Sequence, residues 1–474
     1  METLESMRGE VKTELLTHII PFWRALRDDT YGGYYGWLSY DLALDQKAEK
    51  GCILNSRITW FFSNAYTAYR KGLFTEEDCN SAGYTGEALL EEAKHGYAFL
   101  KEHCIDQEYG GIYWSLNYDG TPFDTTKHTY NQAFSIYALS SYYEASHDEE
   151  ALALAKRLFS LIEEKCTDGI GYLEAFTREF HPESNEKLSE NGVLADKTMN
   201  TLLHVFEAYT ELYRVSRDET VGERLRWIMD VFAEKVYNPA KRRQEVFFDA
   251  GYHTILDLHS YGHDIETAWL LDHGVKVLGD EAYETKIDPI TQALAAHIYE
   301  TAFDGHSLAN ECDRGVVNTH RVWWVQAETV VGFLNAYEQM PDHSEYRDAA
   351  LAEWQFIKEQ KLPMGDFSPL CIYHDDPKVT PAEKLRTDVC MVLPSFATAK
   401  GDIGFKQLAA GRYAIFLYKG PYEHLQAVYD TIYGKYIPEM ECSLRDESSA
   451  ERYLNNPADT APEELLTEIY IPVE

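Results

Sequence analysis

Cations are in short supply in this chain: 43 Lys and Arg stand against 79 Asp and Glu, for a formal net charge of -36. A surface this acidic repels polyanions and anionic bilayers, so nucleic acid and membrane are not expected partners. Long apolar runs are also missing. No stretch approaches the roughly 18 residues of a membrane span, and the segment Met1 to Glu10 is acidic rather than leader-like, so a cytoplasmic protein is expected. The eight cysteines are scattered, with no Cys-x-x-Cys pair and no matching His-x-x-x-His, which argues against a zinc site or a disulfide frame and for free thiols. No glycine-rich phosphate cradle followed by Lys-Ser/Thr occurs, and no Gly-x-Ser-x-Gly elbow. Phosphoryl transfer and serine hydrolysis lose support accordingly.

Aromatic residues are abundant instead, 14% of the chain with 34 Tyr and 9 Trp, which suits either a bulky core or a cleft on which sugar rings stack. From Glu2 to about Gln360 apolar residues recur at helical spacing, as in Leu15, Ile19, Phe22 and Leu26 or Val330, Phe333, Leu334 and Tyr337. Glycine turns punctuate the helices at Asp29-Thr30-Tyr31-Gly32-Gly33, Asp106-Gln107-Glu108-Tyr109-Gly110-Gly111 and Asp168-Gly169-Ile170-Gly171. A repeat of helical hairpin plus turn predicts stacked hairpins, closed as an α/α toroid or left open as a solenoid. Beyond about residue 361 the pattern changes. Strands are expected over Phe367 to Tyr373, Asp388 to Leu393, Arg412 to Tyr418, Glu451 to Leu454 and Leu465 to Ile471, with a helix after Lys419-Gly420-Pro421. The expected domains are therefore 1–360, all helical, and 361–474, small and α+β.

The stretch Leu258 to Leu271 carries the sharpest chemical signal. On a helix opened by Ser260 or Gly262, His263 and Glu266 stand one turn apart on one face, while Ile265, Ala268 and Trp269 bury the other. Such a setting would hold an imidazole near its usual value of about 6.5; a structural histidine is the plainer alternative. Arg57, amid apolar residues, reads as a buried guanidinium paired with a carboxylate or awaiting an oxyanion. Asn200 and His204 share a helical face with Glu207 just beyond, Tyr130 is a sugar-contact candidate, and Trp323, Trp324 and Glu328 form a stacking platform or simple core. Two imidazoles, a carboxylate and a guanidinium suit proton abstraction beside a carbonyl. A glycosidase pairing of Glu266 with Glu328 is disfavoured by the surrounding histidines and Arg57.

Four ordered motifs resemble the cellobiose 2-epimerases of the N-acylglucosamine 2-epimerase superfamily. They are Asn55-Ser56-Arg57 with Trp60, Phe62 and Ser63; Met199-Asn200-Thr201 with His204; Gly262-His263-Asp264-Ile265-Glu266; and Trp323-Trp324 with Gln326, Ala327 and Glu328. The resemblance implies an (α/α)6 barrel over residues 1–360 acting without metal or nucleotide cofactor on the reducing-end glucose of cellobiose or a related β-1,4 disaccharide. By it, His263 is an acid/base supported by Glu266, and Arg57 binds the enediolate. His204 and Asn200 assist ring opening or hold the sugar, and Trp323 or Trp324 stacks on it. The superfamily's closing Tyr-His-Asn-Gly-Arg motif, source of its second acid/base, is missing, so the barrel is expected to be incomplete at its C-terminal end, with His374 the nearest substitute. Residues 361–474 resemble a gyrase-inhibitor-like effector-binding domain without its first strand and helix, through Ile372 to Pro377, Gly411 to Ala414, Lys419 to Tyr422 and Leu465 to Pro472. That resemblance implies a second small-molecule ligand. An aldose–ketose isomerase, or a sugar-binding sensor without turnover, are the alternatives.

Overall fold

The computed structural model describes residues 3–39, 42–186, 193–360, 369–375, 378, 380–381, 384–391, 404, 406, 408, 411–440, 442–455 and 460–474. They form two compact units, Met1–Gln360 and Lys361–Glu474.

In the first unit helices alternate between two rows. The outer row comprises α1 (Leu4–Glu14) continued by α2 (Ile20–Ala25), α4 (Gly86–Phe99), α6 (Glu149–Lys165), α8 (Glu219–Val231), α10 (Glu281–Thr301) and α12 (Ser344–Glu359). The inner row comprises α3 (Cys52–Arg70), α5 (Thr129–Ser146), α7 (Met199–Ser216), α9 (Tyr261–Leu278) and α11 (Trp323–Gln339), each packed on the next. Sequence dictates the sorting. α6 and α8 carry one apolar stripe against an otherwise charged surface, as outer helices must, whereas α5 and α9 are buried on nearly every side. The outer row closes where Trp354 Nε1 and Lys358 Nζ of α12 both reach Glu10 of α1, each at 2.8 Å. Among the described residues the inner row of this (α/α)6 barrel has five members, and no sixth inner helix bridges α11 to α3.

A repeated staple holds the turns that punctuate the helices. The carboxylates of Asp28, Asp106 and Asp168 each accept two backbone N–H groups of their own turn and are paired with a lysine just before the following inner helix: Lys50 (2.6 Å), Lys127 (2.9 Å) and Lys197 (2.5 Å). The first two pairs are wholly removed from solvent. The head of the first turn is thus Asp28, not Asp29, whose side chain is exposed. Three of the five inner helices, α3, α5 and α11, add a further clamp where their first turns face a hairpin: Asn55 Oδ1 accepts from Tyr34 N (2.8 Å), Gln132 Oε1 from Ile112 N (2.6 Å) and Gln326 Oε1 from Leu308 N (3.2 Å). Gly33, at φ +67°, must be glycine here, since a Cβ would lie 2.6 Å from Asn55 Oδ1.

The second unit is a five-stranded antiparallel sheet in the order β2-β1-β4-β5-β3, where β1 is Pro369–Tyr373, β2 Thr387–Met391, β3 Arg412–Lys419, β4 Ser449–Tyr453 and β5 Leu466–Val473. After β3 the chain turns through Pro421 into helix α13 (Leu425–Thr431). Ala414, Ile432, Ile437, Ile469 and Ile471 form its core. Phe367 and Leu393, at the outer ends of two expected strands, lie outside the described residues.

Candidate active site

Strand Leu258–Ser260, hydrogen-bonded to Glu311–Asp313, delivers the chain to the start of α9 and fixes Ser260 as its N-cap. His263 follows in the first turn and Glu266 one turn later. Gly262 allows α11 to close over this turn, because a Cβ there would meet Trp324 and Val325 at 2.7 Å. Trp324 consequently lies with its ring 4.9 Å from that of His263. Trp323, by contrast, is 81% exposed, so only the second tryptophan of the pair touches the histidine.

His263 and Glu266 are both buried, but they do not bond to each other. His263 Nδ1 shares a hydrogen bond with Ser260 Oγ (2.7 Å). Burial, reinforced by the nearby His204, pushes the His263 imidazole down to about 3, so it is neutral across the physiological range rather than poised at its usual value. Burial also raises Glu266 well above the carboxylate range, helped by Glu328 and Glu207 and opposed by Arg57. Glu328 goes up to about 7, again chiefly by burial, against the hydrogen bond it accepts from Trp269 Nε1 (2.8 Å). Trp269 packs against the main core, a cluster other than the one that holds Ile265 and Ala268, and its indole N–H also ties α9 to α11.

From α7, His204 Nδ1 donates to Glu207 Oε2 (2.8 Å), and its ring lies against Tyr130 (5.1 Å, edge-on) and Phe134 (4.8 Å) of α5. Asn200, one turn before His204, keeps its Oδ1 buried with no partner among the described residues. Such an acceptor is one that a ligand hydroxyl would satisfy. A cavity of about 90 Å³ opens beyond Glu207 and Trp269, lined also by Tyr137 and His273.

Arg57 is not buried. Its side chain is exposed and its guanidinium lies over the Phe134 ring, 4.6 Å from the centroid, with no carboxylate bonded to it among the described residues. Stacking on an aromatic face satisfies a weakly hydrated guanidinium without consuming its charge. The cation stays available beside Glu266 and Glu328, whose ionised forms it favours. Ring contacts and charge interactions thus link Arg57, Tyr130, His204, His263, Glu266, Trp324 and Glu328 across α3, α5, α7, α9 and α11. His374 belongs to the second unit, where Nε2 is bound to Asp388 (2.8 Å) at the end of β1.

Phe134, Trp269 and Ser260 were not legible as parts of this site. Ser260 sits three residues before His263, the spacing at which an N-cap side chain meets the first helical turn, and that spacing is the one signal that could have found it.

The profile of the N-acylglucosamine 2-epimerase (GlcNAc 2-epimerase) family matches residues 33–361, and that of a GyrI-like small molecule binding domain matches residues 341–474. Cellobiose 2-epimerase of Ruminococcus albus is 49% identical over 353 residues, covering 74% of this chain and 87% of its own. That of Eubacterium cellulosolvens is 47% identical over 75% and 88%. Among solved structures, a sugar epimerase from a ruminal bacterium superposes with a TM-score of 0.70 at 49% identity, over 74% of this chain and 87% of that one. The Bacillus thermoamylovorans B4167 cellobiose 2-epimerase gives 0.69 at 42% identity, over 77% and 90%. The chain belongs to the N-acylglucosamine 2-epimerase family.

Proposed function

We propose that the first unit inverts C2 of the reducing-end glucose in cellobiose or a similar β-1,4 disaccharide, through a cis-enediolate. The observation that carries this reading is a buried, neutral His263 one turn from Glu266, whose charged form an uncommitted Arg57 favours. With the sugar open as its aldehyde, the His263 lone pair takes the C2 proton and the C2–H electron pair moves into a C1–C2 double bond. Arg57 meets the charge that develops on the C1 oxygen. One oxyanion donor of this kind is worth up to about 3–4 kcal/mol of transition-state stabilisation. His204, oriented by Glu207, is the second imidazole available to return a proton to the other face of C2. Asn200 and Tyr130 contribute polar and aromatic contact to the sugar, and Trp324 stacks beside His263. Incubation with cellobiose should yield glucosyl-mannose; a glucosyl-fructose product would make the chain an aldose–ketose isomerase.

An inner row of five described helices favours a second reading, a barrel that binds sugar without turnover. Calorimetric binding of cellobiose with no product would establish it.

For the second unit the small-molecule site best supported is the cluster around Glu451. This carboxylate is buried, accepts from Tyr453 Oη (2.6 Å) and Tyr373 Oη (3.2 Å), and has Tyr422 against Tyr453. A buried carboxylate walled by tyrosines favours an aromatic or quaternary cation. Saturable binding of benzyltrimethylammonium to the full chain, lost in Glu451→Gln, is the expected result.

A further inference from the structure

We propose that Ser260 is a positioning residue that holds the His263 imidazole with its proton on Nδ1, leaving the Nε2 lone pair free to act on the sugar; the second half rests on the epimerase reading.

Ser260 occupies the N-cap of α9, with φ -85° and ψ 103°. A serine there ordinarily accepts a hydrogen bond from a backbone N–H of the first turn, worth about 1 kcal/mol. Ser260 makes no such bond. Its Oγ is turned to His263 Nδ1 at 2.7 Å instead, and both residues are 8% exposed. Its backbone is held on either side, by pairing of Ser260 with Glu311 and by the bond from Tyr261 N to Asn310 O (3.3 Å). The helix forgoes a local cap for the sake of the ring.

Neighbouring histidines show what the alternative looks like. His204 Nδ1 is bound to Glu207 and His259 Nε2 to Asp264, each at 2.8 Å. Among the described residues His263 has a hydroxyl where those two have a carboxylate, although Glu266 lies one turn away. A carboxylate partner favours the imidazolium and would load the base before substrate arrives. A hydroxyl oxygen accepts from Nδ1–H both when Nε2 is empty and, more strongly, when it carries the sugar's proton. The ring therefore keeps its orientation through the transfer. The low imidazole value set by burial and His204 agrees with this pairing.

The test is selective 15N-histidine labelling of the full chain, with His263 assigned by its loss in His263→Gln. Two-bond proton–nitrogen spectra distinguish the two tautomers. The wild type and Ser260→Thr should show His263 protonated on Nδ1, and Ser260→Ala should shift it wholly or partly to Nε2. The kcat for C2 exchange should fall about tenfold or more in Ser260→Ala with KM within about twofold, and Ser260→Thr should recover most of it. A wild-type ring protonated on Nε2, or an unchanged tautomer in a folded Ser260→Ala, overturns the proposal. Should the alanine variant not fold, the wild-type and threonine spectra still decide it. A wild type with the Nδ1 tautomer that never exchanges C2 would refute the epimerase reading while leaving the serine's role intact.

Discussion

Replacing Arg57 by methionine should separate catalysis from folding in this barrel. The guanidinium is exposed and rests on Phe134, so its removal leaves neither a cavity nor a stranded buried partner. Loss of the stack is worth about 0.5–1 kcal/mol at an exposed site, and methionine regains part of that through its own packing on the ring. Urea midpoints should hardly move. The rate should respond far more. If Arg57 meets the enediolate oxygen, its loss removes one oxyanion donor, about 3–4 kcal/mol or a fall in kcat on the order of 10² to 10³. Arg57→Lys keeps the charge but not the planar fork over Phe134, so it should fall between, about tenfold below wild type. Proton NMR of cellobiose conversion at saturating sugar measures both. A methionine variant within about threefold of wild type in kcat would refute the role assigned to Arg57.

Other consequences concern titration and architecture. Because His263 is depressed to about 3, it contributes stability that is fully present above about 6.5 and is lost as the pH falls toward 3; His263→Asn should flatten the urea stability profile there by up to about 1.4 kcal/mol per pH unit. Glu328, raised to about 7, has the opposite sign: its contribution is present below about 4.5 and lost as pH rises through 7, so Glu328→Gln should gain on wild type in that window. Lys50→Met strands Asp28 in the interior and should cost about 3–5 kcal/mol by chemical denaturation, whereas the double change Lys50→Met, Asp28→Leu should cost much less. Equal losses in the two would contradict the staple.

The helical rows were readable because outer helices such as α6 alternate apolar and charged residues at 3.6-residue spacing, and the Asp-to-Gly turns repeat. The repeat was read one residue out at its first copy, where Asp28 and Asp29 adjoin and only burial tells which anchors the turn. The lysine of each staple lies 21 to 29 residues away in sequence, a pairing that exists only once the hairpin folds back. Arg57 was expected to be buried from its apolar neighbours. Its helix does pack on α4 and α5, yet residue 57 itself is exposed and rests its guanidinium on the Phe134 ring of α5. Helical spacing puts Trp269 on the face that buries α9, and it does pack on the core, but spacing gives no sign that its N–H bonds Glu328. Strands β3 and β5 followed their β-branched and aromatic runs closely, since β propensity and pairing agree there.

The claim on which the account turns is that His263 removes hydrogen from C2 of the sugar. It is tested most directly by incubating the full chain with cellobiose in deuterium oxide and following the C2 proton of the reducing-end glucose by NMR. The account predicts steady replacement by deuterium in the wild type and none above background in His263→Asn. Retention of the C2 proton by the wild type while the sugar is bound, or equal wash-in by the asparagine variant, would contradict it.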